Sequence, residues 1–119
     1  MKAWLALALT ALVPVGAFAA PERFACNAAA LSATERQRYG ELTRSLLGAV
    51  HEKKELPQGY AFRLPPADLV TTAEWISLER KCCPFFTFVL QQSRDGGPVW
   101  LKITGSEGVK EFIREEFGL

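Results

Sequence analysis

Glu79, Cys82 and Cys83 fall together in the run Glu79-Arg80-Lys81-Cys82-Cys83-Pro84-Phe85-Phe86. Two adjacent thiols with a carboxylate one helical turn upstream are donors for soft-metal or thiol chemistry. Thiolate sulfur selects thiophilic ions such as copper(I), mercury(II) and arsenic(III). Such an ion displaces the thiol proton by its own charge, so the thiol need not be acidic beforehand. Cys26 can complete a trigonal sulfur set, and Glu79 can add an oxygen. The candidate metal ligands are therefore Cys82, Cys83, Cys26 and Glu79. Zinc usually takes four fixed ligands, and no such set is spaced along this chain.

Redox catalysis fits the same residues less well. Residues three and four apart share a helix face, so Glu79 and at least one thiol meet near a helix C-terminus. That end carries partial negative charge, and Glu79 adds more; both disfavour a thiolate. Arg80 and Lys81 point from other faces. A reactive cysteine prefers a helix N-terminus, and the Cys-x-x-Cys spacing of oxidoreductases is missing. Glu79 as a general base has no second carboxylate or histidine placed beside it by local spacing. There is no nucleophile elbow, phosphate loop or His-Glu metal motif. No residue is assigned as catalytic, and the chain reads as a non-enzyme.

The structural alternative rests on cysteine arithmetic. The chain has three cysteines, so at most one disulfide forms within it. Adjacent Cα atoms lie about 3.8 Å apart, below the usual disulfide span of about 4.4–6.8 Å, which strains a Cys82–Cys83 bond. The easier bond joins Cys26 to one of the pair and pins the N-terminal segment to the core. His51, the single histidine, sits in the charged run His51-Glu52-Lys53-Lys54-Glu55. Placed near a helix C-terminus, it suits the dipole there, with metal ligation as the alternative. Trp75 and the Phe85, Phe86, Phe88 group read as core rather than a stacking platform.

The elements that must position these residues follow from local signals. Ser32-Ala33-Thr34-Glu35 is a capping box. A helix follows to about Lys54, with Tyr39, Leu42, Leu46 and Val50 as its apolar stripe. Pro57-Gln58-Gly59 is a turn. Tyr60, Phe62 and Leu64 alternate along a strand. Pro65-Pro66 opens a second helix carrying Leu69, Val70, Ala73, Trp75, Ile76 and Leu78. Pro84 disfavours helical geometry at Cys83, so this helix ends around Lys81 or Cys82. Residues 85–91 read as a buried strand. Arg94-Asp95-Gly96-Gly97 is a hairpin turn, and Val99, Leu101 and Ile103 point inward from the partner strand. Ser106 is the expected cap of a last helix with Val109, Phe112, Ile113 and Phe117 inward.

The expected order is α-β-α-β-β-α. It gives a two-layer α+β domain with a three-stranded mixed sheet, ferredoxin-like without the last strand. The third strand lies between the first two, antiparallel to both. One sheet face carries Ala61, Arg63, Trp100 and Lys102, with Phe85 and Val89 as further candidates. Either the first helix covers it, or it is a surface for a homodimer or protein partner.

Residues 1–19 read as a cleaved signal peptide. Lys2 precedes an apolar run broken by Pro14 and Gly16, and Ala17-Phe18-Ala19 fits the cleavage rule. That run is shorter than the roughly 20 residues of a membrane span. Residues 20–119 then form one exported domain, periplasmic or extracellular, with no stable membrane insertion. Without Lys2 the acidic and basic residues balance. Nothing basic or aromatic-basic marks a nucleic-acid partner.

The segments Gly59-Tyr60-Ala61-Phe62-Arg63-Leu64-Pro65, Ala73 through the Glu79-Arg80-Lys81-Cys82-Cys83-Pro84-Phe85 run, and Trp100-Leu101-Lys102-Ile103-Thr104-Gly105 to Glu111-Phe112 carry a resemblance. They resemble a group of small bacterial proteins of unassigned activity that share a Glu-x-x-Cys-Cys-Pro-Phe motif. The likeness spans residues 24–112. It brings no catalytic role. It implies that members can lack an export leader, so that a shared role would work with reduced thiols. In size and layout the chain is also similar to small exported mercury-binding proteins of resistance systems. Their paired cysteines lie in a Cys-x-x-Cys loop before the first helix, a pattern absent here.

Overall fold

The computed structural model describes residues 24–119. The expected signal peptide lies outside them. Helix α1 spans Ala33–Ala49, followed by strands β1 (Glu52–Leu56) and β2 (Gly59–Leu64). Helix α2 spans Leu69–Cys82, entered through a 3-10 turn at Pro66–Asp68. Strands β3 (Thr87–Gln92) and β4 (Val99–Thr104) form a hairpin, and helix α3 (Val109–Glu116) follows.

The expected three-stranded mixed, ferredoxin-like sheet is overturned. The sheet has four strands in the order β1-β2-β4-β3, and every neighbouring pair is antiparallel. The missed element is β1, expected as the end of the first helix. Helix α1 stops because Val50 turns extended (ψ 118°). The His51 N–H then donates to the Arg63 carbonyl at 2.9 Å and starts the hairpin. Beyond Val50 the charged run offers no apolar residues at helical spacing to bury. An edge strand accommodates such charges and is protected by them. Glu52 pairs with Arg63 at 3.3 Å, Lys54 lies 4.8 Å over the Trp100 ring, and Lys53 lies 5.8 Å over the Tyr60 ring. Gly59 closes the β1–β2 turn, where a Cβ would run into the Ile103 carbonyl.

β4 does lie between β2 and β3, antiparallel to both, as expected. Tyr60 and Phe88 flank Ile103, and Phe62 and Leu90 flank Leu101. Leu64, Val99, Leu101 and Ile103 are fully buried under the helices with Trp75 and Ile113. The expected buried strand at residues 85–91 is instead the edge strand β3, with Thr87, Val89, Gln91 and Gln92 exposed. The Arg94–Gly97 turn holds as expected. Asp95 (φ 58°) and Gly96 (φ 68°) are both left-handed, as a type I′ hairpin requires. Helix α3 takes Gly108 (φ 92°), rather than the expected Ser106, at its N-cap position.

Helix α1 does not cover the outer sheet face. It packs on α2, and Arg38 grips Glu74 through two hydrogen bonds of 2.7 and 2.8 Å. The outer face stays open, with Lys54, Ala61, Gln91, Trp100 and Lys102 lining a shallow depression. Phe85 is not on it. That ring belongs to the aromatic cluster of Phe24, Phe86 and Phe112. No helix among the described residues is long and apolar enough to cross a membrane.

Replacing Leu101 by Ala should cost about 2–5 kcal/mol, because it removes a fully buried side chain at the sheet centre. Val89→Ala, on the exposed face, should cost under about 0.5 kcal/mol. Urea denaturation of both variants checks this, and equal costs would contradict the assigned faces.

Candidate functional site

Pro84 decides the local geometry. It takes Cys83 out of the helix, to φ −125° and ψ 68°, while Cys82 remains the last helical residue. The two sulfurs stay in contact at 3.8 Å but take different further partners. Cys82 Sγ turns back toward the carbonyls of Leu78 (3.9 Å) and Glu79 (3.5 Å). Cys83 faces the N-terminal segment and forms a disulfide with Cys26, 57 residues earlier. The expected link from Cys26 to one of the pair is thus made through Cys83.

The N-terminal segment reinforces this tie. The Asn27 N–H donates to the Cys82 carbonyl at 2.8 Å, satisfying a helix-end acceptor. The Phe24 ring lies tilted against Phe85 at 5.0 Å and Phe112 at 6.2 Å between centroids. The capping box at Ser32 and Glu35 forms in both directions, at 3.0 and 3.1 Å. Glu35 also accepts from Lys81 at 2.6 Å. Lys81 is thereby directed away from the thiols, and Arg80 bonds the Ser77 carbonyl at 3.3 Å.

Glu79 is fully buried. Neither carboxylate oxygen has a hydrogen bond of good geometry. Burial lifts its carboxyl from 4.5 to about 7. The nearby Tyr39 phenol pulls the other way, and the charge of Glu116 adds to the rise. Burial, then the charge of Glu79, pushes the Cys82 thiol up to about 11. Burial also raises the Tyr39 phenol, and Glu79 adds to it.

The donor atoms of Cys26, Glu79 and Cys83 all lie within 4.8 Å of one another, a group that could in principle hold a metal ion, although its two sulfurs are bonded to each other here. Cys82 Sγ lies 3.8 Å from Cys83 Sγ, beside this group rather than in it. His51 stands apart, in an open groove lined by Arg63, Leu64, Pro65 and Pro98. Trp75 is core, as expected: it is fully buried, and its indole N–H donates to Thr43 Oγ1 at 3.0 Å. Sequence reasoning missed Tyr39 and Glu116 as neighbours of Glu79. Tyr39 was visible as the one hydroxyl in the α1 apolar stripe. Nothing local marked Glu116. Comparisons with family models, curated proteins and solved structures find no match.

A carboxyl with a raised value favours the folded state while it is protonated. For Glu79 that contribution is whole below pH 4.5 and lost as pH climbs through about 7. Glu79→Gln has no proton to lose. At about 1.4 kcal/mol per unit, it should gain roughly 3 kcal/mol on the native protein between about pH 4 and pH 8. Denaturation curves across that range measure the gap, and parallel curves would contradict the burial of an ionising Glu79.

Proposed function

We propose that this chain is a disulfide-stabilised, non-catalytic module that acts by protein contact. The observation that carries this reading is the Cys26–Cys83 bond. It consumes two of the three thiols that chemistry would need. The third, Cys82, is buried with its thiol pushed up to about 11, which suits a structural cysteine rather than a nucleophile. The leader read in residues 1–19 would deliver the chain to an oxidising compartment, where such a bond persists.

The outer sheet face supplies the contact surface. Trp100, Lys54 and Lys102 line a depression of about 310 Å³, with the Lys54 ammonium 4.8 Å over the Trp100 ring. Ammonium groups beside an aromatic side chain suit a partner segment offering a carboxylate.

A second reading is favoured by a different observation, the Cys26, Glu79 and Cys83 donor group. In the reduced chain the cysteines gathered at this end of α2 would bind a soft ion such as copper(I) or mercury(II).

The module reading predicts that Cys26→Ser destabilises the oxidised protein by about 2–5 kcal/mol, as loss of a native disulfide does in small domains. Reductant should lower the native protein to the level of the variant. Denaturation with and without reductant tests this, and equal stabilities throughout would overturn the reading.

A further inference from the structure

We infer that the soft-metal site of this chain is the disulfide pair itself, Cys26 and Cys83 with the Glu79 carboxylate, and that the disulfide closes that site. This rests on the soft-metal reading of the reduced chain. It differs from a site built on the vicinal pair, because the two adjacent sulfurs have unequal surroundings. Cys83 Sγ shares a cluster with Cys26 Sγ and a Glu79 oxygen, all within 4.8 Å. Cys82 Sγ touches Cys83 Sγ at 3.8 Å but is directed at backbone carbonyls of its own helix, 3.5 and 3.9 Å away, and is not part of the group that includes the Glu79 oxygen.

Glu79 is the second observation. Its two oxygens are buried with no hydrogen bond of good geometry, the nearby Tyr39 phenol acting on the carboxyl without closing one, and the side chain is wholly shielded from solvent. An unpartnered polar group in a core costs free energy, and a charged one costs more. A cation held between the two sulfurs would meet that oxygen and offset the cost. The Glu79 side chain is turned inward against the sulfurs rather than outward with Arg80, where its oxygen would reach an ion held by them.

The chemistry balances in two steps. A dithiol reductant breaks the Cys26–Cys83 sulfur–sulfur bond and becomes a disulfide itself. Its two electrons and two protons leave two thiols. A divalent soft ion then forms two metal–sulfur bonds and releases both thiol protons to water. Glu79 supplies an oxygen as the third contact. In the oxidised chain neither sulfur is available as a thiolate, the form that binds metal. The redox state of one bond therefore switches the chain between a stapled scaffold and an ion-binding form.

Mercury(II) chloride is the probe. The native chain is compared oxidised and after reduction with removal of the reductant under argon, and bound metal is challenged with excess glutathione. The reduced chain should retain about one equivalent, and the oxidised chain, with Cys82 alone, should retain none, because a single thiolate exchanges readily with a competing thiol. Alkylation mapped by mass spectrometry should show Cys26 and Cys83 protected by the ion and Cys82 labelled. Cys82→Ser should keep the glutathione-resistant equivalent, and Cys26→Ser should lose it. Glu79→Gln should weaken retention by about tenfold or more, the scale of losing a supporting metal contact.

Protection of Cys82 and Cys83 with Cys26 labelled would overturn the inference and leave the soft-metal reading standing on the vicinal pair. Equal retention by the oxidised chain would overturn the closing role of the disulfide. No retention by the reduced chain would overturn both the inference and the soft-metal reading. The alkylation pattern is read on the unmutated chain, so it decides the matter even where a serine variant fails to fold.

Discussion

Pro84 stops helix α2, and the arrangement of the site depends on where that stop leaves Cys83. With Cys83 out of the helix, its sulfur reaches Cys26. The N-terminal segment then lies across the helix end, its Asn27 N–H on the Cys82 carbonyl and its Phe24 ring on Phe85. One proline thus converts a vicinal pair into two chemically different sulfurs. One is cross-linked over 57 residues, and the other is a buried thiol.

Against this tie stands an unfavourable feature. Glu79 lies one turn before the stop, on the face that Cys83 turns toward. Burial lifts its carboxyl to about 7, and the polar groups that act on it, Tyr39 and Glu116, supply no positive charge. The two basic residues in the same stretch are used elsewhere, Lys81 on Glu35 and Arg80 on the Ser77 carbonyl. The site therefore combines sulfur, a carboxyl group and apolar rings, with the two neighbouring basic side chains engaged elsewhere.

Features set by neighbouring residues were legible in the sequence. The Ser32–Glu35 capping box, the left-handed Asp95-Gly96 turn and the alternation of Val99, Leu101 and Ile103 each depend on a few adjacent side chains. Strand β1 was not legible. Glu52-Lys53-Lys54-Glu55 has neither apolar alternation nor an apolar helical stripe, and it becomes a strand because Arg63, Tyr60 and Trp100 across the sheet accept its charges. The same limit applies to the site. The meeting of Glu79 with Cys83 could be read from helical spacing. The choice of Cys83 over Cys82 as the partner of Cys26, and the approach of Tyr39 and Glu116, come from packing between distant segments.

The division of labour between the two adjacent cysteines is the central claim, and disulfide mapping of protein purified without reductant tests it most directly. Electron-transfer fragmentation of the tryptic peptide that begins at Cys82 separates the two sulfurs. The account predicts Cys83 linked to the Cys26 peptide and Cys82 as an unmodified thiol. A Cys26–Cys82 link, a Cys82–Cys83 link or three free thiols would contradict it.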